Sequence, residues 1–91
     1  DSGVTFIDPK SVYISERAKF GRDTVIYPNV SVEGNSEIGD GCTIRQGTRL
    51  TNARVGHGVE ILDNCVVVDS EIGNGCTVGP MAHLRGKAVM M

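Results

Sequence analysis

The chain has 91 residues, a net charge of −2 from 9 basic and 11 acidic side chains, 40% hydrophobic residues and only 4% aromatic ones. This length is that of one domain, and no basic block carries interleaved aromatics, which argues against nucleic acid as a partner. No apolar run approaches the roughly 18 residues of a membrane span and no segment resembles a signal peptide, so a membrane partner is not expected and a cytoplasmic setting is. The chain lacks an initial Met and starts in the middle of a pattern, so residues 1–91 are expected to be a single repeat domain and a piece of a longer one.

Taken in chain order, an apolar residue returns at nearly every sixth position: Ile7, Ile14, Phe20, Ile26, Val32, Ile38, Ile44, Leu50, Val55, Ile61, Val67, Ile72, Val78, Leu84 and Met90. The intervals that depart from six are seven from Ile7 to Ile14, and five from Leu50 to Val55 and from Val67 to Ile72. Six residues fit neither a helical turn nor a free-standing hairpin. They are the mark of a parallel β-helix, in which the chain winds as stacked coils. Four residues after each apolar position comes a small or β-branched one: Ser11, Ala18, Thr24, Val30, Ser36, Cys42, Thr48, Val59, Cys65, Cys76, Ala82 and Ala88, with Ala53 and Ser70 one residue early in the short units. Strand side chains alternate between faces, so both sets are expected to point inward, where a large residue needs a small neighbour. Asp23, Asn29, Asn35, Gly41, Gly47, Gly58, Asn64 and Gly75 follow three after the apolar residue, as corners with positive φ require.

Three units close one triangular coil of about 18 residues, which gives about four and a half coils. Pro9, Pro28 and Pro80 fall at one corner of this prism, as residues that cannot donate a ladder bond should. A second column carries Gly21, Gly39, Gly56 and Gly73 after its apolar residue and Lys19, Glu37, Arg54 and Glu71 before it, an outward ladder of alternating charge. Both short units share the remaining column. Outward apolar patches at Tyr13, Val66 and Val68 and at Val25, Tyr27 and Leu62 point to a homotrimer, with the charged column left to solvent.

Few residues suggest chemistry. Cys42, Cys65 and Cys76 hold the small inward phase and lack a C-x-x-C spacing, so they are expected to be core thiols, neither disulfides nor metal ligands. His57 is read as a solvated corner imidazole and His83 as an outward residue with a structural or interface role. Gly39-x-Gly41 and Gly73-x-Gly75 lack the strand-to-helix context of a phosphate loop. Two histidines on different columns do not make a three-histidine zinc site, and no Thr-x-Thr face suggests ice binding.

The runs Gly3-Val4-Thr5-Phe6-Ile7-Asp8-Pro9, Tyr13-Ile14, Gly21-Arg22-Asp23-Thr24-Val25-Ile26-Tyr27-Pro28 and Gly79-Pro80-Met81-Ala82-His83-Leu84-Arg85 resemble the opening of the C-terminal domain of one enzyme family. The family is the bifunctional N-acetylglucosamine-1-phosphate uridyltransferases and glucosamine-1-phosphate N-acetyltransferases. The resemblance implies an all-β, left-handed parallel β-helix that trimerises, although parallel crossovers in general are right-handed in about 98% of cases. It implies a parent transferase that makes UDP-N-acetylglucosamine for peptidoglycan. In that parent acetyl-CoA lies between prisms and a histidine base serves the sugar amine. Arg85 matches the arginine that contacts the sugar phosphate, a task that suits a guanidinium fork. The family follows that arginine with Pro-Gly, whereas this chain has Gly86-Lys87. The family's base histidine, its acetyl-CoA contacts and its uridyl site match nothing in these 91 residues, so no catalytic residue and no cofactor are expected here. A different class stays open: the assembly or regulatory tail of a sugar nucleotidyltransferase that transfers no acetyl group. A coil presenting His, Lys and Asn beyond these residues would separate the two.

Overall fold

A computed structural model describes residues 3–87 and 89–90. Fifteen short strands form three parallel sheets of five, and three successive strands make one coil. The first sheet stacks β1 (Val4–Phe6), β4 (Thr24–Ile26), β7 (Thr43–Ile44), β10 (Glu60–Ile61) and β13 (Thr77–Val78). The second stacks β2 (Tyr13–Ile14), β5 (Ser31–Glu33), β8 (Arg49–Thr51), β11 (Val66–Val68) and β14 (His83–Leu84). The third stacks β3 (Lys19–Phe20), β6 (Glu37–Ile38), β9 (Arg54–Val55), β12 (Glu71–Ile72) and β15 (Val89–Met90). The result is a five-turn β-solenoid of the left-handed β-helix class, 29 × 23 × 20 Å, half a turn more than the unit count suggested.

The apolar series forms the core because each member stacks on its equivalent one coil away. Ile26, Ile44, Ile61 and Val78 lie in register on the first sheet, and Val32, Leu50 and Val67 on the second, all essentially inaccessible. Burying each such side chain contributes about 1.5–3 kcal/mol. The polar members of the small set are satisfied where they sit. Thr24, Ser36 and Thr48 are buried, and their hydroxyls donate to the carbonyls of Gly39, Glu33 and Leu62 at 2.9–3.0 Å. Among the described residues no buried side-chain nitrogen or oxygen lacks a partner.

The first coil departs from the expected phase. Phe6, not Ile7, pairs with Ile26, and Ile7 is 52% exposed. A 3-10 turn at Pro9–Ser11 follows, so the interval from Phe6 to Ile14 is eight. The small inward position of this coil is therefore Val12, which packs on the core, while Ser11 turns its hydroxyl to the Asn29 N–H at 3.0 Å. The expected corner at Asn35 is also displaced: Gly34 takes the positive φ, +67°, two residues after Val32. The short units confirm that geometry, because Asn52 and Asp69 take positive φ two residues after Leu50 and Val67. Ala88, expected inward, lies outside the described residues.

The corner after the third sheet carries a ladder of side chains. The Arg22 N–H donates to Asp40 Oδ1 at 2.8 Å, the Asp40 N–H to His57 Nδ1 at 2.8 Å, and the His57 N–H to Asn74 Oδ1 at 2.7 Å. Each acceptor caps the backbone of the coil before it. The glycines of this sheet make room: a Cβ on Gly39 would lie 2.6 Å from the Gly56 carbonyl oxygen and 2.7 Å from His57 Nδ1.

Candidate functional site

His83 and Arg85 lie on the outward face of the second sheet. His83 belongs to β14, paired in register with Val66, and Arg85 follows Leu84 directly. Leu84 turns inward against the core, so its two neighbours must turn out, and both are exposed. Residues two apart on a strand are about 6.6 Å apart. An imidazole and a guanidinium are thus offered side by side to whatever occupies this face. Neither belongs to an ion pair among the described residues. Further along the same face Arg49 approaches Glu33 at 3.6 Å, and the Thr51 hydroxyl donates to the other Glu33 oxygen at 3.3 Å. That arginine is therefore already engaged, whereas Arg85 enters no ion pair among the described residues.

The turn after Arg85 differs from a Pro-Gly turn for a backbone reason. Gly86 and Lys87 have φ of +68° and +67°. Proline is locked near −65°, so it could not stand at position 86 in this conformation.

His57 does not join this site. It sits on the corner between the third and first sheets, exposed but bonded through Nδ1 to the Asp40 N–H. An imidazole nitrogen that accepts a hydrogen bond carries no proton. Its 3.8 Å approach to Asp40 Oδ2 is therefore not an ion pair. The corner imidazole read as merely solvated is a capping group, and the shared phase of Asp40, His57 and Asn74 was the available signal for it.

The thiols occupy the expected phase with one difference. Cys42 and Cys65 are buried and Cys76, nearer one end of the stack, is half-buried. The Cys42 thiol donates to the Gly56 carbonyl at 3.0 Å. Burial pushes its pKa up, partly offset by backbone hydrogen bonds. Among the described residues no three His, Cys, Asp or Glu side chains are placed to hold a metal ion. No helix among them is long and apolar enough to cross a membrane. On the first sheet Arg45 stacks 4.3 Å over the Tyr27 ring and donates to Asp63 at 3.2 Å, so part of one expected apolar patch is covered by a cation.

The comparisons agree with this architecture. The chain is 49% identical over 85 residues to the bifunctional protein GlmU of Heliobacterium modesticaldum, which covers 93% of this chain and 18% of that protein. It is 46% identical over 83 residues to the GlmU of Shouchella clausii, 91% of this chain and again 18% of the relative. The chain thus spans about a fifth of the length of these relatives. The resemblance read from the Asp-Pro opening and the Ala-His-Leu-Arg run is borne out. Among solved structures, serine acetyltransferase 1 of Entamoeba histolytica in complex with L-cysteine superposes with a TM-score of 0.72 at 26% identity, over 86% of this chain and 37% of that one. A family model described as the GMPPB C-terminal domain matches residues 8–91. Matched over all but its first seven residues, the chain belongs to the GMPPB C-terminal domain family.

Proposed function

We propose that residues 1–91 form the first coils of the acetyltransferase domain of an enzyme that makes UDP-N-acetylglucosamine in the cytoplasm. The observation that carries this reading is the 49% identity to a bifunctional GlmU along nearly the whole chain. The superposition on a serine acetyltransferase supports it, and the comparisons do not favour a tail that transfers no acetyl group. In the parent, acetyl-CoA donates the acetyl group to the amine of glucosamine 1-phosphate. The role of this segment is to build the prism and to present Arg85 to the sugar phosphate. Arg85 suits that role because it is exposed, fixed at the end of β14 and bound to no carboxylate among the described residues. Three prisms assemble as a homotrimer and bring their outward faces together. Among the described residues the histidine beside Arg85 is His83, which is two residues along the same face and not across a groove from it.

The test uses two proteins. The full-length protein acetylates glucosamine 1-phosphate, and Arg85→Ala lowers its kcat/KM by about tenfold or more, the equivalent of one charge-assisted hydrogen bond of about 1.5–3 kcal/mol. The 91-residue chain alone gives no turnover with acetyl-CoA and glucosamine 1-phosphate. An Arg85→Ala enzyme with unchanged kinetics would remove Arg85 from the site. Turnover by the isolated chain would place the working site within these residues.

A further inference from the structure

The third sheet presents one charged side chain per strand along four successive rungs: Lys19, Glu37, Arg54 and Glu71. All four are exposed, and none enters an ion pair among the described residues, although each has a neighbour of opposite sign on the next rung. The next outward residue on each of these rungs is glycine, so beside the charges the face is backbone only. Shallow depressions lie along it, one bounded by Lys19, Gly21 and Glu37 and one by Arg54, Glu71 and Val89.

The order of signs along the prism axis is plus, minus, plus, minus. Read from the other end it is minus, plus, minus, plus, the complement of itself. A face with this property fits a second copy turned end over end. We propose that the third sheet is a docking face for a second copy of this chain, paired antiparallel about a twofold axis between the Glu37 and Arg54 rungs. Lys19 then lies opposite Glu71 of the second copy, and Glu37 opposite Arg54 of the second copy. Rungs about 4.8 Å apart keep all four pairs in step. The interface is isologous, so each pair occurs twice.

The register is specified by charge. A shift of one rung either way sets like against like at the centre, Glu37 on Glu37 or Arg54 on Arg54. A parallel arrangement in register sets every charge on its own kind. One corner row obeys the same operation: Arg17 comes opposite Asp69 of the second copy. Glycine allows the close approach that short contacts across the face need. Apart from Val89 on the fifth rung, the outward apolar residues belong to the other two sheets, so this pairing leaves them free. Four rungs make a small interface compared with the roughly 800 Å² per partner of a stable complex. The pairing is accordingly reversible and sensitive to salt.

The test reads assembly mass by sedimentation velocity on this chain at about 0.01 M and about 1 M salt, where screening lengths are about 30 Å and 3 Å. At low salt each third face takes one partner, so a monomer doubles in mass and a trimer, with three such faces, links into larger species; this growth is lost at high salt. Two swaps that conserve net charge then separate pattern from composition. E37R/R54E gives the order plus, plus, minus, minus, which is still its own complement, and the low-salt growth persists. K19E/E37K gives minus, plus, plus, minus, which meets itself like against like, and the association weakens at least about tenfold. E37R/R54E creates two adjacent like-charged pairs within a copy and K19E/E37K only one, so an association lost in K19E/E37K alone is not an effect of strain within the copy. A wild-type chain with no salt-dependent growth in mass overturns the proposal, and so do two swaps that behave alike.

Discussion

Removing the His57 imidazole leaves the Asp40 N–H on the preceding coil without its acceptor. His57→Ala should lower stability by about 0.5–1.5 kcal/mol in urea unfolding. His57→Asn should restore most of it, because Asn74 makes the equivalent bond one coil on. Equal losses in both variants would show that the cap contributes nothing. Gly79 tests a close approach instead. Its φ is +103°, and a Cβ there would lie 2.5 Å from Cys65 Sγ. Gly79→Ala should cost about 1–3 kcal/mol from overpacking, beyond the strain of its backbone. In a double-mutant cycle Cys65→Ala should recover part of that loss, since it removes the clashing sulfur and leaves the backbone strain. Additive losses would mean that Cys65 moves aside freely. These local causes explain what a single sequence conceals. Asp40, His57 and Asn74 share a phase that can be counted, but the direction in which a corner side chain folds depends on the glycine one coil before it.

At the scale of the strand, the period assigned the inward positions among the described residues of every coil except the first. That failure has a physical cause. Phe6 and Ile7 are adjacent and both apolar, so hydrophobicity cannot choose between them. The choice falls to the 3-10 turn at Pro9–Ser11, which lengthens the connection to Ile14. The short units were legible because they shift two later strands together. Handedness was not, since a periodic pattern is the same for either winding. Of the proposed site only Arg85 was legible, because a groove between prisms such as the proposed trimer would form is made by more than one chain segment and no single repeat encodes it. The inward thiols provide a test of coil packing. Cys42 and Cys65 should react slowly with a thiol reagent in the native state, and Cys76 faster. Burial holds the Cys42 pKa above its ordinary value of 9.0. The folded chain therefore keeps a proton that the unfolded chain releases first. The stability this contributes is full below about pH 9 and is lost as pH rises through the higher folded value. Urea midpoints measured from neutral to alkaline pH should fall less steeply for Cys42→Ala than for the wild type. Parallel pH profiles would refute the assignment.

At the scale of the whole prism, the three faces differ in what they offer. The third is charged and bare. The second carries Tyr13, 59% exposed, with Val66 and Val68 half-buried, and the first carries Val25 and Leu62 with Tyr27 partly under Arg45. Two different apolar faces on adjacent sides of a triangular prism suit a heterologous contact, in which the first face of one copy meets the second face of the next. Such contacts either close into a ring or extend without end, and the proposed homotrimer is a closed ring. Three is the expected number. Light scattering should give three times the 9.7 kDa chain mass at moderate salt, where the charged face is screened. Leu62→Glu and Val66→Asp act on opposite sides of that contact, so either alone should yield monomer. Both residues point outward, and the far-UV spectrum of each monomer should remain that of an all-β chain. A wild-type chain that stays monomeric at high micromolar concentration would argue against the trimer. Dissociation accompanied by loss of the β signal would instead mean that these side chains support the prism itself.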